Sequence, residues 1–259
     1  MPLRLAFDLD GVFADMESAL VAQAEILFGE PMTRRLQERA EARGGRLEAT
    51  ASASEDASET PSELPAAAEA LPDNVPPLLK LNMTARQQRR LWRHVESIEG
   101  FWESLTELEP GAVKRLAAVA ANRRWETIFI TKRPNGAGAT AQIQTQRWLE
   151  AKGFTLPSVY VVQGSRGHIA AALGLDFVID DRPENCLDVV IDSKARAILV
   201  WREDEKQLPA AARRLGIGIV KSVDECLDIL TQIDTPSHEG PGMMDRVMRL
   251  LGLKEPASA

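Results

Sequence analysis

Hydrophobic and polar positions alternate between two regimes along this chain. Short, nearly continuous apolar runs cover residues 3–7, 127–130 and 176–179, and each stops abruptly on polar residues. Runs of this length, rich in β-branched and aromatic residues and bounded by helical patterns, are expected for strands of a parallel sheet with helices on both faces. Further strands are predicted over 195–201 and, shorter, over 216–220. Apolar residues at helical spacing predict helices over 17–46, 83–107, 205–215 and 223–233. A linker over 235–241 precedes a short amphipathic helix over 243–253, with Met243, Met244, Val247, Met248 and Leu251 on one side. Such a stripe most often docks on its own domain.

The residues at the strand ends carry the chemistry. The first run ends on Asp8-Leu9-Asp10-Gly11-Val12, the second on Thr131-Lys132-Arg133-Pro134, and the third on Asp180-Asp181-Arg182-Pro183. Side chains alternate along a strand, so Asp8 and Asp10 point the same way, and Gly11 allows a sharp turn beside them. Two crowded carboxylates repel, and the usual remedies are a divalent cation or a shared proton. Ligands of open α/β sheets bind outside the carboxyl ends of the strands. Three strands therefore deliver Asp8 and Asp10, Thr131 and Lys132, and Asp180 and Asp181 to one edge. Asp10-Gly11 alone reads as a turn and Asp180-Asp181 alone as a helix cap; together the three groups read as a catalytic centre with a metal site.

Length and composition narrow the setting. The 259 residues suit one α/β domain with an insert, or two small domains. Two cysteines, Cys186 and Cys226, are too few for a disulfide framework. With no membrane-length apolar run and no signal-peptide pattern, a cytoplasmic location is expected. Cys186, near the third acidic group, reads as a small buried thiol. The net charge of −7 belongs to one segment: seven of the 38 acids lie between Glu48 and Asp73 without a Lys or Arg, and the other acids equal the 31 basic residues. Residues 49–77, rich in Ala, Ser, Glu and Pro, cannot bury enough apolar surface to offset ordering, so disorder is expected there. The segment reads as a tolerated loop extension, with an acidic interaction tether as the alternative.

The helices around it carry arginine-rich faces: Arg34, Arg35, Arg39, Arg43 and Arg46 in one, Arg86, Arg89, Arg90 and Arg93 in the other. Solvated faces are the simplest reading, steering of an anionic substrate the other. The expected organisation is a core of residues 1–15 and 108–234, a helical insertion over 16–107 containing the acidic segment, and a C-terminal stretch over 235–259.

With these motifs quoted, the chain resembles haloacid dehalogenase (HAD) superfamily phosphohydrolases. Within them it is most similar to the 5′(3′)-deoxyribonucleotidase and type C 5′-nucleotidase group. The narrower likeness rests on the Asp8–Asp15 stretch, on Phe101-Trp102-Glu103-Ser104-Leu105 followed by Glu109-Pro110-Gly111-Ala112-Val113, and on Ile179-Asp180-Asp181-Arg182-Pro183-Glu184-Asn185. The resemblance implies a HAD-like Rossmannoid three-layer α/β fold, with a central parallel sheet and a helical cap inserted after the first strand. It implies Asp8 as nucleophile forming a phosphoaspartate, and Asp10 as acid and then base. Magnesium would be held by Asp8, the Asp10 carbonyl and Asp180, with Asp181 in a water-mediated role. Thr131 and Lys132 would bind phosphate. In Gly164-Ser165-Arg166-Gly167-His168, Arg166 stands where the family usually has a phosphate-bracing lysine, and its planar fork makes the swap non-neutral. His168 reads as structural or surface. Phe101 and Trp102 read as core aromatics, with a substrate-stacking role as the alternative.

The implied activity is magnesium-dependent hydrolysis of a small phosphomonoester, a nucleoside monophosphate being favoured, with no nucleic-acid polymer and no membrane as partner. The alternatives are a phosphatase of another small metabolite and a catalytically weak binding or regulatory protein that keeps the fold.

Overall fold

A computed structural model of the chain describes residues 2–51 and 81–234. In chain order the elements are β1 (Arg4–Phe7), α1 (Met16–Phe28), α2 (Glu30–Ala51), α3 (Ala85–Glu96), α4 (Ala112–Arg123), β2 (Glu126–Thr131), α5 (Ala141–Ala151), β3 (Ser158–Val161), α6 (Arg166–Leu173), β4 (Phe177–Asp180), α7 (Pro183–Asp192), β5 (Arg196–Val200), α8 (Ala210–Arg214), β6 (Gly218–Val220) and α9 (Val223–Ile233). The predicted C-terminal helix and residues 52–77 of the acidic segment lie outside the described residues; 49–51 form the last turn of α2. No described helix is long and apolar enough to cross a membrane.

The six strands form one parallel sheet in the order β3-β2-β1-β4-β5-β6. The chain builds outward from β1 through β2 to β3, then returns to lay β4 against the other side of β1. The direction of winding reverses between β1 and β4, which creates the crevice where open sheets of this kind bind ligands. Phe7 pairs with Phe129 on one side and Ile179 on the other, so the chain leaves all three central strands at the same level.

Alternation along the strands divides the core into two layers. Ala6, Ile130, Val178, Ala197 and Leu199 pack with Ala170 of α6, Cys186 and Val189 of α7, and Ala212 of α8. Leu5, Phe7, Phe129 and Ile179 are buried on the opposite pleat. There Phe7, Phe13, Phe129 and Phe154 form a train of tilted and edge-on rings with centroids 4.9–6.2 Å apart. The predicted core strands appear within a residue or two. The edge strand β3 is absent from the sequence-based set, although Val159-Tyr160-Val161-Val162 is a short apolar run; the strand is only four residues long and mostly exposed.

The helices depart from the hydrophobic pattern where backbone chemistry intervenes. The helix predicted over 17–46 is two, α1 and α2, because Gly29 sits at φ +82° and interrupts the turn. The helix predicted over 83–107 starts with a capping box, in which the Thr84 hydroxyl accepts the Gln87 amide while the Gln87 carboxamide accepts the Thr84 amide. It ends at Glu96, and only a 3-10 turn, Phe101–Glu103, follows Gly100 at φ +71°. The one predicted over 205–215 reduces to a 3-10 turn and the short α8, because Pro209 has no amide to continue the helix. Helix α9 begins where expected, on the Ser222 cap.

The described residues fall into two compact units: 2–15, 102–131 and 141–234, and 16–51, 81–101 and 132–140. Two boundaries differ from the sequence-based division. Residues 102–107 join the sheet-containing unit, where the Trp102 amide donates to the Gln144 side chain and the Trp148 indole to the Leu105 carbonyl at 2.7 Å. Residues 132–140 join the helical unit, where the Ala137 amide donates to the Glu96 carbonyl at 2.7 Å.

Candidate active site

The end of β1 and the end of β4 meet across the switch point. The Asp8 amide donates to the Ile179 carbonyl at 2.8 Å, so the two chains leave the sheet still paired. Asp8 and Asp180 are buried, and Asp181 is half-buried beside them. One carboxylate oxygen from each of Asp8, Asp180 and Asp181 lies within 4.8 Å of the other two.

Close packing under this trio explains Gly11. A methyl group there would fall 1.9 Å from Asp181 Oδ2, and Gly11 takes φ +85°, a conformation that side chains resist. Glycine thus lets the turn after Asp10 lie directly against Asp181.

Cationic and amide groups hold two of the acids. Arg166, buried at the first turn of α6, donates through Nη2 to Asp8 Oδ1 at 2.8 Å, with Nε 3.7 Å from Asp180 Oδ2. Asp180 also accepts the Arg182 amide at 2.9 Å and the Asn185 carboxamide on both oxygens at 2.9–3.0 Å. Asn185, in the first turn of α7, is a contact that the strand-end pattern does not predict. Its signal in the sequence is its place in the turn that follows Asp180-Asp181. By contrast, Asp181 Oδ1 is buried without any hydrogen-bond partner, an arrangement that costs roughly 1–3 kcal/mol or more when a polar atom stays unmatched.

The electrostatics follow from this crowding. Burial first, then the charge of Asp180, pushes the Asp8 carboxyl well above the usual carboxylate range, against the pull of Arg166. Burial and Asp180 do the same to Asp181. Asp180 is raised by burial and drawn back by Arg166 and its amide donors. Three acids that resist joint ionisation, an all-oxygen donor set and an orphaned Asp181 oxygen together fit a hard cation, so the cluster could hold a metal ion through Asp8, Asp180 and Asp181.

The carboxylate of Asp10 stands outside the trio. Its Oδ2 accepts the Thr131 hydroxyl at 3.1 Å, which joins the ends of β1 and β2. Asp8 thus belongs to the carboxylate trio and is held by Arg166, with Asp10 two residues on and bonded to Thr131. Two carboxylates held by different partners at one strand end could serve one as a nucleophile and the other as an acid or base.

The other predicted residues divide. Lys132 is half-buried and opens the 132–140 segment of the helical unit. Phe101 and Trp102 are both buried, at 3% and 2% exposure, in different units. Cys186 is buried in the core, and burial followed by the Asp180 charge pushes its thiol well up, so it is an inert packing group. His168 is a surface residue, 3.7 Å from Asp192.

No protein-family model matches this chain, and no curated protein matches it. Solved structures do. A HAD family hydrolase from Deinococcus radiodurans R1, with bound phosphate and sodium, superposes with a TM-score of 0.50 at 17% identity, covering 91% of this chain and 99% of that one. A putative β-phosphoglucomutase from Thermotoga maritima gives 0.48 at 17% identity over 89% and 99%, and a hydrolase from Pseudomonas syringae 0.46 at 18% over 90% and 98%. With its strand order, its switch-point acids and its likeness to the Deinococcus structure, this chain has the HAD-like Rossmannoid fold.

Proposed function

We propose that this protein is a magnesium-dependent phosphomonoester hydrolase that works through a phosphoaspartate on Asp8. The observation that carries the reading is the convergence of Asp8, Asp180 and Asp181 at the switch point, with Arg166 on Asp8 and Thr131 on Asp10. The Deinococcus neighbour, a HAD family hydrolase holding phosphate, supports the same chemistry.

In this reading an Asp8 oxygen attacks phosphorus in line, and the bond to the leaving oxygen breaks as the Asp8–phosphorus bond forms. Asp10 protonates the leaving oxygen. It then takes a proton from the water that attacks the phosphoaspartate, which releases phosphate and restores Asp8. One carboxyl serves both steps because the proton moves in opposite directions. Arg166 neutralises charge on Asp8 and the phosphoryl oxygens, while Thr131 orients Asp10 and offers its hydroxyl to the phosphoryl group. Asp8, Asp180 and Asp181 would hold magnesium, whose positive charge would let an anionic nucleophile approach an anionic ester.

The substrate class favoured is a nucleoside monophosphate, on the likeness of the Phe101–Leu105 stretch and the Glu109–Val113 stretch that follows it to nucleotidases. The test is phosphate release from nucleoside monophosphates and sugar phosphates, with and without magnesium, by the wild type and Asp8→Asn. Magnesium-dependent release that Asp8→Asn abolishes supports the reading. Wild type and variant giving the same background on every ester would sink it, and preference for sugar phosphates would move the substrate class.

A further inference from the structure

The turn that carries Asp10 is held by a side chain from a different strand. Arg202 lies just beyond β5. Its guanidinium donates through Nη1 to the Gly11 carbonyl, and through Nη2 to the Val12 carbonyl at 3.1 Å and to Glu109. Glu109 also accepts the Val223 amide on both oxygens at 3.0 Å and the Asp224 amide at 3.4 Å. Glu109 therefore caps the start of α9 and pins the guanidinium at the same time. Within the turn, the Phe13 and Ala14 amides donate to the Leu9 carbonyl at 2.8 Å, and the Gly11 amide to the Ala14 carbonyl at 3.0 Å. The Gly11 and Val12 carbonyls complete the loop through Arg202.

A plain ion pair is the simpler explanation and accounts for less. Arg202 and Glu109 side chains are 29% and 23% exposed, so the pair alone is worth roughly a kcal/mol or less. An ion pair needs no peptide carbonyls. Two adjacent carbonyls and a carboxylate are matched by a planar fork with five N–H groups, which the compact ammonium of lysine cannot reproduce.

We propose that Arg202 is a positioning residue for Asp10. Its guanidinium fixes the peptide units immediately after Asp10, and with them the direction in which the Asp10 carboxyl leaves the turn, while Glu109 holds the guanidinium in place. This rests on the phosphoaspartate reading, with Asp10 as the acid, and it has a consequence specific to that task. An alkoxide leaving group needs the Asp10 proton as the bond to phosphorus breaks; a nitrophenolate leaves without it. Misplacing an acid by about 1 Å costs up to about a hundredfold.

The test compares wild type, Arg202→Ala, Arg202→Lys and Glu109→Gln, as full chains, on para-nitrophenyl phosphate and on a nucleoside monophosphate. Amide hydrogen exchange over residues 9–14 is followed in parallel. Arg202→Ala is expected to lower kcat/KM, which reports formation of the phosphoaspartate, about ten- to a hundredfold on the nucleotide and no more than about threefold on the nitrophenyl ester. By contrast, kcat also carries the water step that Asp10 serves as base and can fall on both. Arg202→Lys recovers part of the loss, Glu109→Gln shows the same leaving-group bias more weakly, and exchange over 9–14 accelerates in all three. Equal losses of kcat/KM on both esters, or unchanged exchange, would overturn the assignment. If the wild type turns over neither ester, the phosphoaspartate reading fails by itself. The exchange data still decide on the brace: faster exchange in Arg202→Ala keeps it and unchanged exchange ends it.

Discussion

Two regions of this chain are dense in charge, and their physics is opposite. On α2 and α3, Arg34, Arg35, Arg86, Arg90 and Arg93 are exposed. Arg34 pairs with Glu30 one turn away at 2.6 Å, with both side chains about two-thirds exposed, so the pair contributes roughly 0.3–0.5 kcal/mol. At the ends of β1 and β4, Asp8 and Asp180 are buried, and their neighbours shift their ionisation rather than merely decorating it. Unit charges about 4 Å apart at an effective dielectric of 20 interact by about 4 kcal/mol, several-fold more than the surface pair. Charge density along the sequence looks alike in the two regions. Exclusion of water makes one of them a site.

The contrast is broken most severely at Asp8. Asp8→Asn should lower phosphate release by on the order of a thousandfold or more while preserving the circular dichroism of the wild type. A variant retaining a tenth of wild-type turnover would remove Asp8 as nucleophile. Next comes the cation. Magnesium at a hundred times its dissociation constant should stabilise the wild type by about 2.7 kcal/mol, and Asp180→Asn should abolish the shift in thermal denaturation. An unchanged shift in that variant would put the ion elsewhere.

Changing pH tests the same crowding without a mutation. Because burial and Asp180 raise Asp8 and Asp181, the folded metal-free chain keeps protons that the unfolded chain releases. Their contribution is fully present below the ordinary carboxylate value of 3.8 and is lost as pH rises through the raised values. Urea midpoints of the chelated protein should therefore fall with rising pH in that range, and magnesium should restore them; a flat profile would mean the acids are not crowded. Gly11→Ala should cost about 1–3 kcal/mol from its positive φ alone. Contact with Asp181 should weaken the magnesium shift as well, which titration of the purified variant would read. Smallest of all, Arg34→Ala should change stability by less than about 0.5 kcal/mol and leave KM unaltered at any salt concentration. A salt-sensitive rise in KM would close the gap between the two regions by giving the arginines a steering role.

Strand-end chemistry was readable directly because it is local. Leu5, Phe7, Phe129 and Ile179 mark buried strands through their own neighbours, and Asp8, Thr131 and Asp180 stand where those runs stop. Helix boundaries were less legible: Gly29, Gly100 and Pro209 interrupt patterns that apolar spacing alone would carry through. The edge strand β3 escaped notice because only one side of it is buried.

Three pairings cannot be read from apolar spacing, although the family resemblance places Arg166 at the phosphate site. Arg166 lies 158 positions from the Asp8 it contacts, Arg202 lies 191 from Gly11, and Glu109 lies 114 from Val223. Phe101 and Trp102, adjacent in sequence, are assigned to different compact units. Hydrophobic periodicity reports which face of an element avoids water, and that was enough for an α/β sheet with acids at one edge. It carries no information on which strands become neighbours. The order β3-β2-β1-β4-β5-β6 does, and it brings Asp8 against Asp180 and Asp181. A row of strand-end carboxylates becomes a cluster that could hold a cation at the reversal of winding, because there the ends of β1 and β4 lie side by side with Asp8 and Asp180 buried.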